Sequence, residues 1–192
     1  MSPQTSIPRL RSARLRRASP VGYRRYFRRI AVVIMALACG ALARAQVKVG
    51  DAFPALAVPG MAMLGGGDLP VTAGNVVVVD FWASWCAPCK ASFPALAKMH
   101  AEFARRGLVI AAVSVDEKLA NATQFVRNLR PPFATLHDRE QKLVQAVAVP
   151  TMPTTYVLDR DGRVRFMHQG YRGGDTDKEL RKQIETLLEE GK

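Results

Sequence analysis

Cysteine is scarce in this 192-residue sequence, with only Cys39, Cys86 and Cys89 present. So few thiols cannot build a disulfide-stapled scaffold, and a chain of this length does not need one to form a core. Histidine is equally rare, at His100, His137 and His168. A cysteine pair becomes a zinc site only with two further ligands at suitable spacing. The histidines are scattered and no second cysteine pair exists, so no metal site is assigned and each histidine is read as a packing or surface residue. Long apolar runs are missing too. Ile30 to Ala43 is uncharged over fourteen residues, which as a helix reaches about 21 Å against a hydrocarbon core of roughly 30 Å.

Acidic residues are absent from positions 1–45, where ten arginines accumulate. The formal charge of +12 therefore belongs to the leader, because the remainder carries 18 basic and 16 acidic residues, a net charge of +2. That near-neutral remainder carries no electrostatic signature for nucleic acid. Arginine-rich stretch, apolar run and the small-x-small site Ala43-Arg44-Ala45 together read as an export signal cleaved after Ala45. The alternative is an uncleaved membrane anchor over residues 30–43, which would be the only membrane contact. Tyr23-Arg24-Arg25-Tyr26-Phe27 has an Arg-Arg-x-Phe core like that of a twin-arginine signal, and Cys39 after Ala36-Leu37-Ala38 is a poor match to a lipidation site. Either way the rest of the chain is expected outside the cytosol, in the periplasm, as one domain over residues 46–192 with two cysteines left.

Periodicity divides that domain. Gly50 to Pro70, with a turn at Gly65-Gly66-Gly67-Asp68, reads as a hairpin-like extension. Val76 to Trp82 and Leu108 to Val115 are β-branched runs expected as buried strands. Ala87 to Arg106 is helical, with a kink expected at Pro94. An amphipathic helix through Ala122, Phe125, Val126 and Leu129 stops before Pro131-Pro132. Phe133 to Leu136 is extended, Asp138 to Val147 helical, and Thr154 to Leu158 with Val164 to His168 forms a hairpin. Thr176 and Glu179 suggest a capping box opening the last helix. Strands alternating with helices and closing in a hairpin imply an α/β fold, a mixed central sheet covered by helices on both faces.

Trp85-Cys86-Ala87-Pro88-Cys89-Lys90 carries the chemistry. A thiolate attacks a disulfide far faster than a thiol does. Cys86, between a strand and a helix, would sit at the helix N-terminus, where unpaired N–H groups and the helix dipole favour negative charge. Cys89 would follow on the same helical face within bridging distance, and Pro88 suits the first turn. Cys86 is thus the attacking sulfur and Cys89 the resolving one. Asp80, six residues earlier and directly after four valines, is the candidate proton acceptor for Cys89, with a pKa raised by desolvation. Its alternative reading is a strand-end cap.

Asp80-Phe81-Trp82-Ala83-Ser84-Trp85-Cys86-Ala87-Pro88-Cys89-Lys90 resembles the active-site stretch of thioredoxin. The wider chain, through Val49-Gly50-Asp51, Val113-Ser114-Val115-Asp116, Pro153 to Asp159, Asp161-Gly162 and Gly170-Tyr171, is similar to the TlpA-like branch of extracytoplasmic thiol-disulfide oxidoreductases. The resemblance implies a thioredoxin fold with one extra helix and strand near Lys118 to Val147. It implies that Pro153 is a cis proline beside the cysteines, that Met152 offers its backbone to substrate, and that Trp85, Ala87 and Pro88 line the contact. From the residues alone Pro150 is a rival for the cis bond. The branch often carries a glutamate three residues after the second cysteine, where this chain has Ser92.

A copper-delivery module using the cysteines with a methionine or histidine is the main non-enzyme alternative. Within the enzyme class Ala87-Pro88 offers no histidine to stabilise a thiolate, which favours a reductant over a disulfide-donating oxidase. The redox group is then the Cys86–Cys89 pair itself, with no cofactor. Substrates are protein disulfides and thiols. The resemblance implies a membrane thiol-reducing electron donor, with apocytochrome c cysteines or copper-site thiols as targets.

Overall fold

A computed structural model describes residues 46–190. The expected export segment, its cleavage site, the arginine motif and Cys39 lie outside the described residues.

Four successive valines lead into Asp80-Phe81-Trp82, and all seven residues of β2 (Val76–Trp82) are buried. β-branched side chains suit a pleated surface packed on both sides. β2 lies at the centre of a six-stranded sheet with β1 (Met61–Gly65), β3 (Leu108–Ser114), β4 (Ala134–Asp138), β5 (Thr154–Leu158) and β6 (Val164–Gln169), in the order β1-β4-β3-β2-β5-β6. It pairs parallel with β3 and antiparallel with β5.

Alternation along β2 separates two cores. Val76, Val78 and Trp82 pack with Cys86 and Cys89 against α1 (Ala87–Phe103), α2 (Leu119–Leu129) and α4 (Gly174–Glu190). Val77, Val79 and Phe81 face a second cluster roofed by the short helix α3 (Lys142–Val147) and by Val47 and Leu56 from the N-terminal segment. Each large side chain taken from water on these faces contributes about 1.5–3 kcal/mol. Trp82 anchors the first core, its ring 4.4 Å from Phe125 and 5.3 Å from Phe93.

Two expectations need correction. The segment Gly50 to Pro70 is not a hairpin: it supplies one strand, β1, whose antiparallel partner is β4. Gly65 and Gly66 close-pack against β4 instead of turning back, and a Cβ at Gly66 would collide with the carbonyl of Phe133. α1 includes Pro94 in its interior, and a 3-10 turn follows at Ala104–Arg106. The last helix begins at Gly174, so Thr176 lies inside it; its hydroxyl accepts from the N–H of Arg172 instead of forming the expected box.

Asp138 ends β4 and starts α3. Its two carboxylate oxygens accept from the N–H groups of Lys142 (3.0 Å) and Val144 (2.8 Å), satisfying donors that the first helical turn leaves unpaired. Asp138→Ala removes both acceptors and is expected to lower stability by about 2 kcal/mol, measured by urea unfolding. An unchanged unfolding midpoint would show that water replaces the carboxylate without loss.

Candidate active site

β2 ends at Trp82, and four residues later Cys86 caps α1 in an extended conformation, φ −85° and ψ 105°. Its sulfur accepts from the N–H of Cys89 at 3.2 Å, so a donor of the helix start points at this sulfur, an arrangement that favours negative charge there. Pro88 sits in the first turn, where an N–H is not required. Cys86 and Cys89 are joined as a disulfide with Cα atoms 5.3 Å apart. Cys86 keeps 4% exposure and Cys89 none, which leaves Cys86 as the sulfur a partner can reach. Around it Trp85 is 69% exposed, and Ala87 and Pro88 also face solvent.

Asp80 is fully buried between Val78 and Trp82, on the face of β2 that α1 and its cysteines cover. Thr155, its register partner on β5, donates to Oδ1 at 2.6 Å, while Oδ2 has no partner among the described residues. Desolvation lifts the carboxyl pKa to about 7, and the Thr155 hydroxyl pulls back part of that rise. The strand-end cap reading fails, because Asp80 lies inside β2 and caps nothing.

The Met152–Pro153 peptide is cis. Thr154 pairs with Phe81, so Pro153 arrives where the chain leaves β2 for Cys86. Met152 is half-buried and packs against both cores. Ser92 is buried, and its hydroxyl donates to the carbonyl of Cys89 at 2.9 Å. The histidines stay apart: His100 lies against Phe133, His137 bonds the carbonyl of Asp116, and His168 bonds Gln183. Among the described residues no three His, Cys, Asp or Glu side chains gather as metal ligands.

Two participants carried no role in the sequence. Thr155 had no local signal, since only the β2–β5 register reveals that it meets Asp80. Asp116 closes an apolar run as Asp80 does, and its carboxylate reaches across to Ser84, two residues before Cys86.

The raised Asp80 pKa makes a stability prediction with a definite sign. From about pH 4, where an unfolded aspartate ionises, up to about pH 7 the native state holds the proton that the unfolded state has lost. Stability therefore falls as pH rises through this window, by about 4 kcal/mol when complete. Asp80→Asn carries no such charge, so its advantage over the wild-type oxidised protein should grow from pH 4 to pH 8 in urea unfolding. Parallel pH profiles would remove the raised pKa from the account.

Comparison with known proteins places this geometry. Residues 49–167 match the AhpC/TSA family. The thiol-disulfide oxidoreductase ResA of Oceanobacillus iheyensis is 34% identical over 97 residues, covering 50% of this chain and 50% of that protein. The chain spans 50–64% of the length of the first curated relatives it matches. A Chlorobium tepidum crystal structure, described as a candidate thiol:disulfide interchange protein DsbE, is 32% identical with a TM-score of 0.65, covering 74% of this chain and 99% of that one. The thioredoxin domain of a Bacteroides vulgatus thiol-disulfide oxidoreductase superposes with a TM-score of 0.60 at 19% identity, over 72% of this chain and 99% of that one. The fold is the thioredoxin fold, and the chain belongs to the AhpC/TSA family.

Proposed function

We propose that this protein is an exported thiol-disulfide oxidoreductase that reduces disulfides in partner proteins through Cys86 and Cys89. The observation that carries the reading is the juxtaposition of a reachable sulfur at a helix start, a buried second sulfur bonded to it, and a buried carboxyl on the same face.

In the reduced protein the Cys86 thiolate attacks one sulfur of a partner disulfide. A mixed disulfide forms and the partner's other sulfur leaves as a thiolate. Cys89 then gives its proton to the Asp80 carboxylate, and the resulting thiolate attacks the Cys86 sulfur. The second partner sulfur leaves, and two electrons have passed from the pair to the partner. A base with a pKa of about 7 is matched to this task, because about half of it is ionised at neutral pH and it is basic enough to take a thiol proton. Trp85, Ala87, Pro88, Met152 and Pro153 form the contact with the partner chain, Met152 through its backbone.

The residues between the sulfurs support the reducing direction, since Ala87 and Pro88 supply no group that would over-stabilise the Cys86 thiolate. A reductant outside the cytosol needs its own source of electrons. A membrane thiol-reducing protein fits that need, attacking the oxidised pair at Cys86. The names of the relatives, thiol-disulfide oxidoreductase and thiol:disulfide interchange protein, support the exchange chemistry, and the resemblance noted in the sequence implies targets such as apocytochrome c cysteines or copper-site thiols. No cofactor enters this scheme. Export by residues 1–45 rests on the sequence alone.

Cys86→Ser is expected to abolish disulfide reduction, whereas Cys89→Ser should accumulate a mixed disulfide visible on non-reducing gels. Trapping by the opposite variant would reverse the assignment of roles. Asp80→Asn should slow resolution on the order of a hundredfold while leaving the first attack little changed. Stopped-flow tryptophan fluorescence separates the two steps, and equal slowing of both would take Asp80 out of the mechanism. Equilibrated with glutathione, the pair should have a potential nearer to about −270 mV than to about −120 mV. A value at the oxidising end would make the protein a disulfide donor.

A further inference from the structure

The path from β2 to the nucleophile is four residues long, Ala83-Ser84-Trp85-Cys86, and it is tied down from outside. The N–H of Val115 donates to the carbonyl of Trp82 at 2.9 Å, fixing the point of departure. The N–H of Cys86 donates to the carbonyl of Ala83 at 3.1 Å, closing a tight turn. Between these points Ser84 is gripped twice by Asp116: its N–H donates to Oδ2 at 2.9 Å and its hydroxyl to Oδ1 at 2.6 Å.

Asp116 is 1% exposed. Besides the two bonds from Ser84 it accepts one from the Ser114 hydroxyl at 2.9 Å, and its own N–H donates back to that oxygen at 3.1 Å. Behind it, Nε2 of buried His137 lies 2.7 Å from the Asp116 carbonyl, which can only accept, so that nitrogen bears the proton. A carboxylate serving only to finish β3 would be satisfied by neighbours such as Ser114. Here Oδ1 is engaged by Ser84, 32 residues away in sequence, and the main chain of Ser84 is held as well.

We propose that Asp116 is a positioning residue for Cys86: by holding Ser84 it fixes the loop leaving β2, and with it the attacking sulfur at the first turn of α1. The inference rests on the exchange reading above and assigns a role to a residue that does not touch the reacting sulfurs. Its physical basis is range. The field of a helix N-terminus acts within about one turn, and the N–H bond to a sulfur weakens steeply as alignment is lost. A loop free to drift would therefore lose thiolate stabilisation without any change in the cysteines themselves.

The test is the pH dependence of Cys86 alkylation by iodoacetamide in the reduced full chain, with mass spectrometry distinguishing Cys86 from the other cysteines. Asp116→Ala should raise the midpoint by about one pH unit and slow alkylation at pH 7 by about tenfold. Asp116→Asn keeps an acceptor for Ser84 and should return the rate to within about threefold of wild type, and Ser84→Ala, with only the main-chain bond, should fall between. A negative charge with no positional role would act oppositely, since removing it lowers the midpoint. An unchanged or lowered midpoint in Asp116→Ala, with Ser84→Ala like wild type, overturns the proposal. If Asp116→Ala does not fold, Asp116→Asn and Ser84→Ala decide it, because neither removes significant buried volume: a midpoint raised in Ser84→Ala supports the clamp and wild-type behaviour in both rejects it. Alkylation needs no partner protein, so the result is independent of substrate identity. An inert wild-type Cys86 would reject the exchange reading and the clamp together.

Discussion

Parallel pairing of β2 with β3, in register from Val76↔Leu108 to Trp82↔Ser114, is the constraint on which the site depends. Parallel strands leave a sheet at the same end, so the loop carrying Cys86 and the loop carrying Asp116 must emerge side by side. β5 runs antiparallel to β2 with Thr154 opposite Phe81, and so delivers Met152 and Pro153 to that same end. Open α/β sheets generally place their chemistry outside the carboxyl ends of parallel strands for this geometric reason. Slippage by one residue is blocked by the two cores. It would exchange Val76, Val78 and Trp82 with Val77, Val79 and Phe81, and would carry Asp80 to the wrong face.

Within that frame, burial does opposite work at two aspartates. Asp80 and Asp116 both end apolar runs and both are cut off from water. Asp116 accepts three hydrogen bonds, which suits a residue that must stay fixed. Asp80 accepts one, from Thr155, and its other oxygen is unpartnered among the described residues. An under-satisfied buried carboxyl is destabilising, and structures retain such groups chiefly where a proton has to move. The same residue type thus suits the proposed clamp or the proposed base according to how many donors surround it.

The strands and the site cysteines were legible because their signals are local. Four valines before Asp80 define β2, and strand, Cys-x-x-Cys and helix follow without a gap. Asp80 was legible for an energetic reason, since a charge after such a run has to be explained. What the sequence concealed depends on pairings between distant segments. Whether β1 folds back on its own segment or joins β4 is decided by β4, some seventy residues later, and no residue of Gly50 to Pro70 encodes that choice. Thr155 and the Ser84–Asp116 contact were hidden for the same reason, because each exists only once the register is set. Pro94 does not end its helix, whose buried face, Phe93, Leu96, Met99 and Phe103, is held by the core.

Ser92 bears on how narrowly the proton chemistry is drawn. A glutamate at that position, one turn beyond Cys89, would offer a second carboxyl near the buried sulfur. Serine instead spends its hydroxyl on the carbonyl of Cys89 within the same helix, adding a neutral bond and no titratable group. Among the described residues three aspartates are buried: Asp116 holds Ser84, Asp138 holds the start of α3, and Asp80 alone keeps an oxygen free. On the proposed exchange reading, proton removal from Cys89 falls to one carboxyl whose basicity is set by desolvation against a single threonine hydroxyl. On that reading the resolving step depends on the β2–β5 register that brings Thr155 to Asp80, more than on any charged neighbour of the cysteines.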